Sequence, residues 1–391
     1  MLGETNGACT GLILSGGGAR AAYQVGVLSV LAELLPAGAS NPFPVICGTS
    51  AGAINALALA TNAQDFGGGV ERLQQVWSAF SCDQVYRSDW PGVTAQAWRW
   101  IRANLLGVPS SQPTAMLDNA PLRNLLQRTL HFGQIDEALQ AGVLQAVSVS
   151  AFGYQSAESV SFYQGRDRIQ PWSRHRRVGV QTRLGLEHLM ASSAIPLVFP
   201  PVQLNREWFG DGAVRQQAPI SPALHLGANR VLVIGVSDNL ANQPAGGRRG
   251  PRLRAALPPT LAQIGGHLLS STFVDNLEAD IELLERMNKL AGYLPVGSRM
   301  NGKGLRQVEV EGISPREPLD IIAARHRKLL PRSLRAFLRG SGATRASGGS
   351  VVSYLLFEAD YTRELIALGR RDALAKRDQL QRFLSLPPVH G

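Results

Sequence analysis

Cysteine is scarce. Cys9, Cys47 and Cys82 are the only three in 391 residues. Their number is odd and their spacing fits no metal pattern, so neither a disulfide framework nor a metal site is expected. Cys47 lies in an apolar run, and reduced, buried thiols in an intracellular protein are the simplest account. Long apolar runs are missing too. Stretches such as 25–35 and 51–60 fall short of the ~20 residues a bilayer span needs. The first residues, Met-Leu-Gly-Glu-Thr-Asn-Gly, show no basic segment followed by an apolar run, so no signal peptide is expected. These absences point to a soluble, cytoplasmic chain whose membrane contact, if any, is peripheral and on the inner face. Lysine is limited to Lys289, Lys303, Lys328 and Lys376, so the formal charge of +10 rests on arginine. Such a charge suits nucleic acid or an anionic membrane surface; an Arg- and Ala-rich genome bias accounts for it equally well. Charged residues are only 17% and hydrophobic residues 45%, which leaves enough apolar material for a sizeable core.

The richest stretch is Val45-Ile46-Cys47-Gly48-Thr49-Ser50-Ala51-Gly52-Ala53-Ile54-Asn55. Three apolar residues lead into Gly-Thr-Ser-Ala-Gly, and small apolar residues follow. The pattern reads as a buried strand, a sharp turn and a helix packed close to the strand. Glycines two positions either side of a serine make a nucleophile elbow. The turn strains the backbone at Ser50, and side chains at Gly48 and Gly52 would collide with neighbours. Ser50 would then sit at the positive end of a helix dipole.

Ahead of the elbow, Gly11-Leu12-Ile13-Leu14-Ser15 is a short apolar run ending in Gly16-Gly17-Gly18-Ala19-Arg20. Tyr23, Gly26, Val27, Val30, Leu31, Leu34 and Leu35 then recur at helical spacing. Strand, glycine loop and helix resemble a dinucleotide fingerprint, with alanine at position 21 in place of the last glycine. No acidic residue ends a second strand about 20 residues on, where that fold needs one. In either reading the loop frees backbone N–H groups for something negative, an oxyanion as readily as a phosphate.

Further along, helices are expected at about 69–80, 117–130, 134–140 and 185–193. A strand over 143–152 pairs with a hairpin partner over 159–163. Residues 81–115, with Trp90, Trp98 and Trp100 among arginines, suit a lid or a membrane-interface contact, or an ordinary surface helix. Arg166, Arg168, Arg174, Arg176 and Arg177 crowd what reads as a loop. Residues 198–204 read as an edge strand carrying Pro200 and Pro201. Asp211 stands in Phe209-Gly210-Asp211-Gly212-Ala213, a sharp turn after a strand. Residues 230–236 form a continuous apolar strand of the parallel-sheet kind. Residues 238–259 are rich in Gly, Pro and Arg and read as a linker. Residues 260–391 are mostly helical, with a strand over 307–313 and a basic amphipathic stretch over 319–339 broken near Pro331. That stretch suits an anionic membrane or, as the favoured reading, a helix covering the core.

A serine nucleophile needs a base, an orienting group and an oxyanion hole. Seven histidines are present: His131, His175, His188, His225, His267, His326 and His390. None sits in a strand-end loop among small neighbours. The alternative is a Ser–Asp dyad, in which a partly desolvated Asp211 takes the proton itself.

Three segments in order and at matching distances, Ser15-Gly16-Gly17-Gly18-Ala19-Arg20, Gly48-Thr49-Ser50-Ala51-Gly52 and Asp211-Gly212-Ala213, resemble the patatin-like phospholipases. Ala191-Ser192-Ser193-Ala194-Ile195-Pro196 resembles that family's run before the aspartate. The resemblance covers residues 10–237, and together the motifs are far more specific than any one of them. It implies an α/β fold: a three-layer α/β/α sandwich with a mainly parallel central sheet, to which 260–391 would add a mostly helical C-terminal extension packed on the catalytic domain. It implies lipid acyl hydrolysis without metal or cofactor. Ser50 would be the nucleophile, Asp211 the base, and the amides of Gly16, Gly17 and Gly18 the oxyanion hole, with Arg20 supporting that loop. The implied partner is a glycerolipid or phospholipid, with peripheral contact to an anionic membrane and no nucleic acid; oligomeric state is open. Ala21 departs from the glycine many members carry, and a methyl is tolerated there if the position is already helical. The rival readings are a non-catalytic, membrane-associated lipid-binding protein and an acyltransferase using the same dyad.

Overall fold

The computed structural model describes residues 9–89, 115–237, 276–293, 307–340 and 349–386. The strands are β1 (Thr10–Leu14), β2 (Val45–Thr49), β3 (Ala146–Gly153), β4 (Ser159–Gly165), β5 (Trp172–Arg174), β6 (Arg177–Gln181), β7 (Val202–Leu204), β8 (Glu207–Asp211), β9 (Arg230–Ile234) and β10 (Glu309–Ile313). The helices are α1 (Ala22–Leu34), α2 (Ala51–Thr61), α3 (Phe66–Ser78), α4 (Ala120–Thr129), α5 (Gly133–Gln140), α6 (Leu186–Ser192), α7 (Ser221–His225), α8 (Asn276–Gly292), α9 (Leu319–His326), α10 (Arg332–Gly340), α11 (Gly349–Leu355), α12 (Ala359–Leu374) and α13 (Arg377–Phe383).

The strands form one sheet in the order β10-β9-β1-β2-β3-β4-β6-β5, with the β7–β8 hairpin joined to β3. From β10 to β3 every neighbour is parallel. The short apolar runs of β1, β2 and β9 are buried on both faces, which is why they lack alternation in the sequence. The two-residue side-chain period sorts them nonetheless. Leu12, Leu14, Ile46, Leu232 and Ile234 pack with α1, α2, α3, α9 and α12 on one face. Ile13, Val45, Cys47, Val231 and Val233 pack with α7 and the N-terminal half of α8 on the other. The result is a mainly parallel sheet sandwiched between helices.

The C-terminal residues return to this core. β10 extends the sheet beside β9. α12 packs on α1 through a glycine seam: a Cβ at Gly26 would lie 2.0 Å from the Ile366 carbonyl, and one at Gly369 2.1 Å from that of Tyr23. The apolar side of 319–339 (Leu319, Ile322, Leu330, Leu334) is buried in the same core, and Pro331 separates α9 from α10.

Several expected boundaries move for identifiable reasons. α3 begins three residues early, at Phe66, because Asp65 caps it by accepting the Gly68 N–H at 3.0 Å. Three consecutive glycines mask that start in the sequence. β7 begins only at Val202, since Pro200 and Pro201 have no N–H to donate to a ladder. The arginine-crowded stretch is not all loop: it includes β6, which pairs with β4, and the short edge strand β5 beside it, whose charged side chains protect the sheet edge. The tryptophans at 90, 98 and 100 and the stretch 238–275 lie outside the described residues. No helix among the described residues is long and apolar enough to cross a membrane.

Candidate active site

β2 ends at Thr49, opposite Ser150 of β3. The next residue of β3, Ala151, lies opposite Asp211, the last residue of β8. β8 therefore takes up the edge of β3 where β2 leaves it, running the other way. Ser50 and Asp211 arrive at one point from opposite directions although 161 residues separate them.

The Ser50 hydroxyl donates to Asp211 Oδ2 at 2.6 Å. Ser50 has φ 55 and ψ −129, a sparsely populated backbone state that costs about 1–3 kcal/mol. The surroundings enforce it. A Cβ at Gly48 would come within 2.5 Å of Ala53 Cα, and one at Gly52 within 2.3 Å of the Leu14 carbonyl. The Ser50 N–H donates to Ser192 Oγ at 2.8 Å, and that hydroxyl donates to the Ser150 carbonyl at 2.6 Å. Ser192, at the end of α6, so ties the elbow to β3. In the sequence Ser192 stands within a family-like run, but nothing there signals this task.

Asp211 is completely buried, and Ser50 is 2% exposed. Desolvation drives the Asp211 carboxyl up to about 7, against the opposing pull of the Ser50 hydroxyl and the Ala213 N–H, which reaches Oδ1 at 2.9 Å. The Asp211 N–H donates to the Ala194 carbonyl at 2.9 Å, fixing the strand end. Gly212 must be glycine: a Cβ there would lie 2.2 Å from the Ser150 carbonyl. Ala213, buried beside it, turns the chain into a short 3-10 helix. Asp211-Gly212 is thus the exit from a strand, and the hairpin turn lies before β8.

Gly16, Gly17 and Gly18 are buried in the loop between β1 and α1. Gly18, at φ 54, lines the same cavity as Ser50. A Cβ at Gly17 would strike Val236 at 2.3 Å. Ala21 has φ −63 and ψ −11, an ordinary helical state that does not need glycine. Arg20 is engaged by the C-terminal residues: its Nε donates to Ser353 Oγ at 2.7 Å and its guanidinium lies 4.3 Å from the Tyr354 ring centre. It bolts the loop to α11. A buried relay steadies the other side. Trp77 Nε1 donates to Asn55 Oδ1, Asn55 Nδ2 to Gln24 Oε1, and Gln24 Nε2 to the Ser15 carbonyl, at 2.8, 2.9 and 2.9 Å. No pattern in the sequence links these three residues.

The histidines with resolved contacts are occupied elsewhere. His188 Nδ1 accepts the Gly185 N–H, His225 stacks on Trp172, and His326 pairs with Glu364. Ser50 lines an apolar cavity of ≈ 100 Å³ whose walls include Ile195, Phe199 and Phe357. A serine hydroxyl bonded to a desolvated carboxyl whose proton affinity is raised toward neutrality, beside a glycine loop and an apolar cavity, is an arrangement suited to acyl transfer from a hydrophobic ester.

Known proteins resemble this chain. A 27% identical match over 215 residues, 55% of this chain and 55% of the relative, is to a cGAMP-activated phospholipase of Pseudomonas aeruginosa (strain BWHPSA011 / Pa011). The chain thus spans about half the length of that curated relative. The crystal structure of VipD from Legionella pneumophila aligns with 92% of this chain and 67% of its own at 14% identity, with a TM-score of 0.30, a likeness too slight to bear on the fold. The family model for patatin-like phospholipases matches residues 12–224, more than half of the sequence and the stretch that holds the glycine loop, the elbow and Asp211; the chain belongs to the patatin-like phospholipase family.

Proposed function

We propose that the chain hydrolyses carboxylic esters of glycerolipids or phospholipids through a Ser50–Asp211 dyad and an acyl-enzyme. The observation that carries this reading is the 2.6 Å hydrogen bond from Ser50 Oγ to a fully buried Asp211. Ser50 Oγ attacks the ester carbonyl while its proton passes to Asp211. The amides of Gly16, Gly17 and Gly18 stabilise the oxyanion. The C–O bond to the leaving alcohol breaks, and Asp211 returns the proton to that alcohol. Water then attacks the acyl-enzyme with Asp211 again as base, releasing the fatty acid and restoring Ser50. A base that titrates near the working pH is well matched to both proton transfers.

The test is hydrolysis of a nitrophenyl ester and of a phospholipid by the wild type and by Ser50→Ala. The substitution removes one oxygen, so circular dichroism and the melting curve should retain their folded form. Activity should fall by at least a thousandfold. A Ser50→Ala protein that still hydrolyses the ester at the wild-type rate would sink the reading.

A further inference from the structure

Ser192 ends α6 and Ser193 follows it, and their hydroxyls stand in different situations. Ser192 Oγ accepts the Ser50 N–H at 2.8 Å and donates to the Ser150 carbonyl at 2.6 Å. On the other side of Ser193, the Ala194 carbonyl accepts the Asp211 N–H at 2.9 Å. Ser193 therefore sits between two residues that hold the dyad, one gripping Ser50 and the other Asp211. Neighbouring Cα atoms are about 3.8 Å apart, which keeps Ser193 within reach of both.

The backbone of Ser193 is committed. Its N–H donates to the Leu189 carbonyl and its carbonyl accepts the Ile195 N–H, both at 3.0 Å. Its hydroxyl is not. Ser193 is 5% exposed, and Oγ has no hydrogen-bond partner among the described residues. A buried hydroxyl is costly to leave in that state. The residue lines the same cavity as Ser50. The other polar side chains described along that wall are engaged: Ser50 donates to Asp211, Asn62 to the Ala58 carbonyl, Arg72 to the Gly68 carbonyl, Trp77 to Asn55 and Thr129 to the Leu125 carbonyl. A serine side chain has three staggered positions about χ1, so the hydroxyl can turn to a cavity water without backbone movement.

The two acceptors an acyl-enzyme can meet differ by one hydrogen. Water and an alcohol each give one proton to the base. Water keeps a second O–H, which needs an acceptor in an apolar site; an alcohol has carbon there instead. A serine hydroxyl both donates and accepts. We propose that Ser193 is the water-positioning residue of deacylation, and that its hydroxyl makes water, in preference to an alcohol, the acyl acceptor. The assignment rests on the ester-hydrolase reading. The water oxygen bonds to the acyl carbon as one of its O–H bonds breaks and that proton passes to Asp211. The second O–H stays intact and donates to Ser193 Oγ, which aims the attacking lone pair. The tetrahedral intermediate then collapses, the C–O bond to Ser50 breaks, and Asp211 returns the proton to Ser50 Oγ. Ser193 neither gains nor loses a proton.

The experiment compares the full-length wild type, Ser193→Ala and Ser193→Thr on nitrophenyl butanoate, an activated ester whose acylation is fast, so that deacylation sets kcat. Ser193→Ala removes a hydroxyl that bonds nothing in the fold, so its melting temperature should equal or exceed that of the wild type. Its kcat should fall at least about tenfold, while kcat/KM, which reports acylation, changes less than about threefold. Butanoyl-enzyme should accumulate, seen as added mass on the quenched intact protein. With methanol at a fixed concentration, the ratio of butanoic acid to methyl butanoate should fall at least about fivefold. Ser193→Thr restores the hydroxyl and should recover part of both losses. An unchanged kcat with an unchanged product ratio would overturn the assignment. Equal falls in kcat and kcat/KM with a lowered melting temperature would also overturn it, since they mark a packing role. Either result leaves the hydrolase reading standing; a wild type that hydrolyses no ester rejects that reading and this assignment together.

Discussion

At the scale of the residue, Asp211 carries two opposed demands. Burial favours its neutral form, while accepting the Ser50 proton requires the anion. Its carboxyl is pushed from 3.8 to about 7 in the fold, so the folded state binds a proton more tightly than the unfolded chain. Between about pH 4 and 7 the native protein holds that proton and the unfolded chain has lost it, and stability therefore falls as pH rises through this window. Two consequences follow from one titration. The kcat/KM profile should climb with an apparent pKa near 7, because the base must be ionised in the free enzyme. Asp211→Asn should abolish turnover yet gain stability relative to the wild type as pH rises from about 4 to 7, by up to about 4 kcal/mol. Denaturant titrations of the two proteins at about pH 4 and pH 8, with a pH–rate profile of the wild type, check both. A rate that is flat from about pH 5 to 9 would count against Asp211 as the base. The serine and the aspartate were legible in the sequence because each stands between small residues that serve no purpose in an ordinary strand or turn. Ser192 and Ser193 were legible only as letters of a motif. Their difference, one hydroxyl bonded on both sides and the other without a partner among the described residues, depends on which way the end of α6 faces.

At the scale of the element, the site is made by strand ends. β2 and β8 meet along β3, and the elbow hands the chain to α2 at the point of contact. The elbow, the glycine loop and the parallel strands could all be read beforehand, because close packing leaves glycine no substitute at Gly48, Gly52 and Gly212. β5 and β6 could not: the strands at and next to this edge of the sheet are short and rich in charge, and charge reads as loop. The Trp77–Asn55–Gln24 relay was equally invisible, since hydrogen bonds between distant helices leave no periodicity. α6 is tied to the elbow by a single side chain, and this makes a specific test. Ser192→Ala would strand the Ser50 N–H and release the elbow from β3, at a cost of about 1–3 kcal/mol. Turnover should drop with little change in KM, and Ser192→Thr, which restores the hydroxyl, should recover some of it. Steady-state kinetics with a soluble ester would show this; equal losses for Ala and Thr would point to packing alone.

At the scale of the whole molecule, the C-terminal residues complete the site that the N-terminal residues begin. Arg20 is held by Ser353 and Tyr354, a Cβ at Gly18 would strike the Tyr354 carbonyl at 2.3 Å, and Phe357 lines the cavity. Tyr86 and Cys82, ahead of α4, both reach the Leu355 carbonyl. The sequence reads 361–383 as helical and 351–357 as a short helix or a strand, and it carried no sign of where they dock, because docking on the glycine loop and on α1 is expressed as an absence of side chain at Gly18 and Gly26. Composition likewise allowed a large core without saying that it has two unequal faces. All of these contacts surround one arrangement, a strained serine bonded to a buried carboxyl at an apolar cavity. The most direct measurement of its chemistry is reaction with a fluorophosphonate ester, followed by peptide mass spectrometry. One phosphonyl group per chain is expected, on Ser50, with labelling lost in Ser50→Ala and strongly slowed in Asp211→Asn. Labelling of a different residue that accompanies loss of esterase activity, or full activity after Ser50 is blocked, would contradict it.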